Sequence, residues 1–530
     1  MKKNHLNVLV FLGALATVSL SAYLILNGSA PEELNGVSLE RSLAAPAAVE
    51  TKKEALSDGE TFYLEAVPIR KTIGGSEIPM YGYNGQTPGP TLKVRQGSSL
   101  TVKFRNGLDV DTTVHWHGLR IDNEFDGVPG LTQKAVKPGE EFTYSLGFPD
   151  AGVYWYHPHV REDFQQEMGL YGNVIVEPSD PDYYNGVGSE EVLIVDDVRI
   201  RNGDLDVFSD EYVSYALMGR FGNVMLTNGR EDHVTFVEGG EKVRIYLTNA
   251  ANTRTFNLSI EGHGMSLVGD DSGRYERDER VESVIIAPSE RRIVEVLFDR
   301  PGTYKILHTT PESEYVMGRV VVSDGAESGG AGISLSASPD IRGEVAGFED
   351  HLRRAPDVEV SLVSELSGMM GRMGGGMGSH VMPDGSIMGG SMGGGESGPI
   401  EWEDDMAMMN IMSNTENTRW AIRDARTGRD GEDAVYDARV GDVKKVRIFN
   451  DPDSAHPMQH PIHIHGQRFL VLGRDGEPNV NLAWKDTVLV ERGSYVDILV
   501  DFTNPGDWLM HCHIPEHMES GMMTTFKVSA

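Results

Sequence analysis

One pattern recurs three times along this 530-residue chain, and it constrains the fold more than any single residue does. A glycine, an alternating run and an asparagine appear at Gly97–Asn106, Gly240–Asn249 and Gly441–Asn450. A His-Gly pair follows each, at His117-Gly118, His263-Gly264 and His465-Gly466. A second element closes each unit, at Gly152–His159, Gly302–Thr309 and Gly506–His513. Alternating apolar and polar residues, β-branched side chains and frequent Gly, Pro or Asp breaks predict strands paired into β-sandwiches. At roughly 150 residues per domain the length accommodates three or four such units. The repeat places sandwiches at 58–180, 189–325 and 355–530, with a Gly/Ser-rich linker around 323–346.

The repeat also serves as an internal control. The first and third units carry histidine pairs where the middle unit keeps only His263 and His308. If the scaffold required those pairs, the middle unit would need them too. Chemistry is therefore the better account of them.

Composition narrows that chemistry. Asp and Glu number 80 against 47 Lys and Arg, a formal net charge of −33. Such a field repels phosphate backbones, which excludes nucleic-acid binding, and attracts small cations. Hydrophobic residues at 39% exclude a multi-span membrane protein. The single cysteine excludes disulfides and every CxxC site, while 17 histidines and 23 methionines point to transition metals. Residues 1–57 read as a leader and linker. Lys2 and Lys3 precede the uncharged apolar run Val8–Leu26, which reads as an export signal. Pro31 directly after Gly28-Ser29-Ala30 disfavours cleavage, so a single-helix anchor is predicted, followed by a flexible tether over 31–58. The working part is expected outside the cytoplasm, at the cell surface or in a periplasm.

Ten histidines and the one cysteine fall in four clusters: His115-Trp116-His117-Gly118, His157-Pro158-His159, His460 to His465, and His511-Cys512-His513 with His517 and Met522 following. Side chains at i and i+2 of a strand share a face, so the pairs 115/117, 157/159, 463/465 and 511/513 each aim two imidazoles at one place. Eight nitrogens suffice for a cluster of three copper ions between the first and third sandwiches. Cys512 then faces the other way, and with His460, His517 and a weak axial Met522 it supplies the His₂Cys-Met set of a blue-copper electron-transfer site. Strand parity alone would wire the two centres together. A zinc enzyme has no use for such a His₂Cys-Met set, and no acyl-transfer context surrounds Cys512.

These four motifs together resemble the three-domain multicopper oxidases, which include laccases and bacterial copper efflux oxidases, over residues 58–530. The resemblance implies an all-β fold of three cupredoxin-like Greek-key sandwiches. It implies four copper ions, one type 1, one type 2 and two type 3, coupling one-electron oxidation of a small reducing substrate to four-electron reduction of O₂ to water. Carried over by position, His115 and His463 resemble type 2 ligands. His117, His157, His159, His465, His511 and His513 resemble type 3 ligands, and His460, Cys512, His517 and Met522 resemble the type 1 set. Asp126 matches a family acid that aids proton delivery; its Asp-Gly sequence also suits a plain turn. Methionine at the axial place, where high-potential fungal laccases carry Leu or Phe, implies a lower-potential type 1 site.

Between 369 and 412 lie 11 of the 23 methionines, within an insert spanning 368–412. Its glycines preclude a stable helix in the first part, whereas Met406, Met409 and Met412 fall on one face of a short helix. Thioethers suit Cu(I). The insert resembles the Met-rich segment of copper efflux oxidases, and Met458 matches a substrate-copper ligand of that subfamily. Two positions depart from it: His456 stands where an Asp is usual, and Met518 replaces an acid after His517. The leading expectation is a monomeric oxidase of Cu(I) serving copper tolerance, with Met458, His456, Met406 and Met409 as its substrate-copper residues. An oxidase of phenols or aromatic amines is the alternative, and a non-catalytic copper-binding protein a third.

Overall fold

The glycine that opens each repeat stands in the left-handed region, with φ of 83° at Gly97, 86° at Gly240 and 92° at Gly441. Each ends a turn that reverses the chain into a strand, a conformation side-chain-bearing residues resist. The computed structural model describes residues 44–325, 335–348, 351, 353–368, 370–371, 380–381, 387–388 and 398–530. The apolar run Val8–Leu26, part of the 323–346 linker and most of the Met-rich insert, including Met369, Met373, Met377, Met382 and Met392, lie outside the described residues.

The repeat asparagines explain themselves. Asn106, Asn249 and Asn450 are buried, and each amide bridges a carbonyl of the loop that follows its strand to one 30 to 40 residues further along the chain: Val110 and Val136, Arg254 and Ile286, Met458 and Val490. A buried side chain with two carbonyl acceptors pins the loop, and losing one such bond leaves a carbonyl unpaired at a cost of about 1–3 kcal/mol. In the first and third units the strand that follows bears the histidines, so the asparagine pins the loop that leads into it.

Sheets fall in three pairs along the chain, an all-β architecture. In the first, His115–His117 lies at the edge of a five-stranded sheet beside Gly152–His157, opposite a four-stranded sheet that includes Glu60–Ile73 and Ser99–Asn106. In the middle pair Phe256–Ile260 lies beside Gly302–Thr309, and in the third His460–Ile464 lies beside Gly506–Cys512. All three place the closing element of the repeat antiparallel to the strand that precedes or carries the His-Gly pair. Each pair of sheets encloses its own apolar core, with Trp116 and Val102 in the first, Phe256 and Val294 in the second, and Trp508 and Ile462 in the third.

Two segments differ from expectation. The first sandwich begins earlier than the tether reading of 31–58 allowed, because Lys53–Ala55 pairs in parallel with Thr91–Arg95 and Ala48 donates to the Arg70 carbonyl. That strand is too short for its alternation to be read. Part of the 323–346 linker is the helix Pro339–Ala346, whose Ile341 and Val345, one turn apart, pack on Leu470 and Trp484. Its Glu344 reaches Arg468 at 3.1 Å and the Trp484 indole at 3.2 Å.

Candidate metal centres

The first and third sandwiches meet along their histidine strands. Within the first, His115 is register-paired with His157, and within the third, His463 with His511. Across the junction the rings interleave, His117 stacking on His463 with centroids 3.7 Å apart and His115 on His465 at 4.0 Å. The eight imidazoles are buried and fall into groups whose ligand atoms lie within 4.8 Å of one another: His117 with His157 and His513, His159 with His465 and His511, and His115 with His463 beside His117.

Their free nitrogens show what they could hold. Nδ1 of His115, His157, His463 and His511 is committed to a backbone carbonyl of Asp126, Pro158, Asp486 and Cys512 respectively. The Nε2 atoms of His115, His157, His159, His463 and His513 are buried with no hydrogen-bond partner, as is Nδ1 of His117. So many orphaned imidazole lone pairs facing one another cost more than a protein tolerates for packing alone. Burial lowers the histidines His117, His157, His465, His511 and His513 well below the usual pKa, and His159 to about 3, so the rings are neutral, as metal ligands must be.

Asp126 joins the two sides. Its carboxylate accepts from His465 Nδ1 at 2.9 Å, while its backbone carbonyl accepts from His115 Nδ1 at 2.7 Å. The Asp-Gly turn and the acid are one device, since Gly127, at φ 87°, has no room for a Cβ against the Val114 carbonyl. A second acid, unforeseen from sequence, lies opposite. Glu162 approaches His157 Nδ1 at 3.2 Å and His513 Nε2 at 3.6 Å. Burial first, then the neighbouring Glu519 and Glu516, raise its carboxyl well above the carboxylate range. Burial also pushes Glu516 and Glu519 up to about 7. Glu162 therefore stands beside two further acids, Glu516 and Glu519, that hold protons near neutrality.

Cys512 points away from this cluster, as alternation requires, into the core of the third sandwich. Its Sγ lies 3.5 Å from His460 Nδ1 and 3.9 Å from His517 Nδ1, and the two nitrogens are 3.3 Å apart. The centre of such a triangle is roughly 2.1 Å from each corner, an ordinary metal–ligand distance. Burial pushes the Cys512 thiol far up, so a bound cation is needed to displace its proton. Met522 is brought alongside by the Cys512 N–H donating to its carbonyl at 3.0 Å.

The remaining candidates separate. Met458 belongs to the third sandwich's core with Met522. Met406 and Met409, at and after the start of the short helix Ala407–Met412, pack instead on Leu217, Met218, Phe221 and Met370. His456 Nε2 reaches Met218 Sδ at 2.9 Å. Trp420 lies between, stacked on His517 at 4.2 Å and 6.3 Å from His456. Segment 215–219 is stapled over this place by Asn410, Ser413 and the Trp420 indole, which donates to Ala216 at 2.7 Å. Met218, Trp420, Glu162, Asp486 and Arg291 were not visible in the sequence as site residues, because no repeat or spacing marks them.

A site of this kind, buried neutral imidazoles in a cluster joined by one strand to a His₂Cys triangle, defines a copper oxidase. The sequence patterns of the family described as multicopper oxidase match residues 68–181, 203–323 and 403–530, and the chain belongs to that family. It is 26% identical to multicopper oxidase mco of Staphylococcus aureus over 509 residues, covering 94% of this chain and 95% of that one. It is 27% identical to multicopper oxidase MmcO of Mycobacterium tuberculosis over 493 residues, 88% of this chain and 86% of the other. The fold is similar to a solved multicopper oxidase from Campylobacter jejuni, with TM-score 0.68 at 21% identity, covering 94% of this chain and 99% of that one. The protein is thus a copper-dependent oxidoreductase with O₂ and a reducing substrate as reactants.

Proposed function

We propose that the electron donor is Cu(I), and that the enzyme works outside the cytoplasm in copper tolerance, as an anchored monomer. The observation that carries this reading is the soft-donor group of Met218, His456, Met406, Met409 and Met370 placed one indole away from His517. Thioether and imidazole suit a cuprous ion, and neither must lose a proton to bind it. His460, His517 and Trp420 are at most 1% exposed, so an aromatic donor finds no imidazole edge to approach. The net charge of −33 would draw in cations.

In this reading Cys512, His460, His517 and Met522 hold the type 1 copper, His115 and His463 the type 2 copper, and the sets 117/157/513 and 159/465/511 the type 3 pair. Those coppers supply one-electron transfer and the reduction of O₂. The chain's own part is to keep the imidazole ligands neutral, exclude water by burial, hold a proton at the Glu162 carboxyl and orient His465 through Asp126. Cys512 and His511 are adjacent in one strand, so the covalent path between centres is a single peptide unit.

Steady-state O₂ uptake with Cu(I), Fe(II), Mn(II) and a phenol tests the donor, in the wild type and in His456→Ala. Cu(I) should be the best donor, and His456→Ala should weaken its use by ~10-fold or more without changing the phenol rate. A phenol outpacing Cu(I), or equal losses for both, would overturn this reading in favour of the laccase type.

A further inference from the structure

Among the eight clustered histidines one is reversed. His117 has its Nε2 engaged, 3.0 Å from Asp486 Oδ1 and 3.0 Å from Thr487 Oγ1, and leaves Nδ1 bare in the cavity. Asp486 stands between the strands Trp484–Lys485 and Thr487–Val490, and neither it nor Arg291 coordinates anything in the assignment above. We infer that Asp486 and Arg291 form a positioning pair that sets the tautomer of His117, and that through Arg291 the middle sandwich, which carries no ligand, is a working part of the trinuclear site.

The geometry ties all three sandwiches to one carboxylate. Asp486 belongs to the third. Arg291, from the middle one, donates Nη1 to Asp486 Oδ1 at 2.6 Å and Nη2 to Oδ2, a two-pronged pair with both residues fully buried. The same guanidinium donates Nε to the Val153 carbonyl of the first sandwich at 2.9 Å, and Nη1 to Ser289 at 3.0 Å. Asp271 completes the seat, accepting from the Arg291 N–H at 2.8 Å and from the Asp486 and Thr487 N–H groups at 3.3 and 3.4 Å. Asp486 also serves a second imidazole, since its backbone carbonyl accepts from His463 Nδ1 at 2.8 Å, and His463 stacks on His117.

Both carboxylate oxygens of Asp486 accept from the Arg291 fork, and Oδ1 also accepts from the Thr487 hydroxyl at 2.9 Å, so the side chain is held as an ion pair with no proton of its own to offer. An ionised carboxylate can only accept, so the proton of a neutral His117 sits on Nε2 and its lone pair is left on Nδ1. Gly118 supplies an independent sign that the pair was accommodated. At φ 82°, a Cβ there would lie 2.3 Å from Asp486 Oδ2 and 2.7 Å from Arg291 Nη2. The glycine of the His-Trp-His-Gly motif is the space the pair occupies.

The inference rests on the trinuclear assignment, and its test separates the two. In copper-loaded Asp486→Asn, the blue absorption of the Cys512 centre should stay at the wild-type level. The type 2 electron paramagnetic resonance splitting should change, and trinuclear copper should be lost to a chelator at ~10–100-fold lower chelator concentration. Arg291→Lys keeps the charge but not the fork and should fall between. Wild-type copper retention with an unchanged spectrum, or equal loss of blue and trinuclear copper, would overturn the pair's role. Metal-free wild type labelled with ¹⁵N-histidine gives a reading that needs neither variant nor copper. The His117 signal, assigned by its loss in His117→Gln, should show a protonated Nε2 and a bare Nδ1. A protonated Nδ1 would overturn the inference while leaving the copper assignment standing.

Discussion

The middle sandwich and its two neighbours share one strand pairing and put it to different uses. In the first and third, histidines on those strands leave nitrogens bare toward a common cavity. In the middle one, His308 is register-paired with Leu258, stacks on Tyr315 and accepts the Asn257 N–H on Nδ1 at 3.0 Å. His263 turns its Nδ1 to the Glu261 carbonyl at 2.9 Å and packs on Tyr304. Each also keeps a buried, unpartnered Nε2, but among the described residues neither belongs to a group of ligands close enough to share a metal ion. The same scaffold slot can thus be a ligand or a packing residue. Two things separate the cases: whether a second histidine stands two residues away, and whether another sandwich brings its own pair to meet it.

Substitutions can break that contrast or sharpen it. The largest effect is expected at Cys512→Ser. Blue absorption should vanish and O₂ uptake should fall by well over the ~100-fold that outer-shell changes cause. The metal-free melting temperature should drop by only a few degrees, since serine nearly matches the thiol's volume; surviving colour would refute the assignment. Next comes Asp126→Asn, which keeps a side chain of the same shape but alters the partner of His465. O₂ uptake should fall ~10–100-fold with the blue colour retained, and a colour loss in step with activity would show that Asp126 acts on the fold instead.

His308→Ala should separate the middle sandwich from the outer pair. Removing a buried ring ought to cost about 2–4 kcal/mol of stability and leave copper content and kcat unchanged. A parallel loss of copper would erase the distinction drawn here. The smallest effect is a matter of pH. Burial first, and then Arg254, lower the His308 pKa from 6.5 to about 4. The folded pKa lies below the unfolded one, so the contribution of neutral His308 is complete above pH 6.5 and is lost as pH falls toward 4. Metal-free wild type should therefore lose more stability across that window than His308→Phe, and superimposable melting curves would dismiss the effect.

Much of this was legible because the informative patterns are short. HxH places two rings on one face, HCH puts the thiol on the other, and a Gly-to-Asn run announces a strand. The buried triangle at Cys512 has its members where alternation and the motif put them. The insert was legible only in part. Its soft-ligand character could be read, but Met406 and Met409 find their neighbours in residues 217–221, about two hundred positions earlier. The linker helix Pro339–Ala346 escaped notice because composition around it masks a single pair of apolar contacts.

By itself the sequence determined the number of sandwiches, the identity of the ligand side chains and the parity that sets Cys512 against His511 and His513. All of these follow from a two-residue period that operates within one strand. Only the tertiary structure decided which nitrogen each histidine presents, which acids flank the cavity and what the middle sandwich contributes. Those depend on hydrogen bonds between partners far apart in the chain, such as His117 and Asp486, separated by 369 positions, or His465 and Asp126, separated by 339. No local periodicity encodes a contact across such a span; it exists because three distinct apolar cores bring their sheet edges together and bury what lies between.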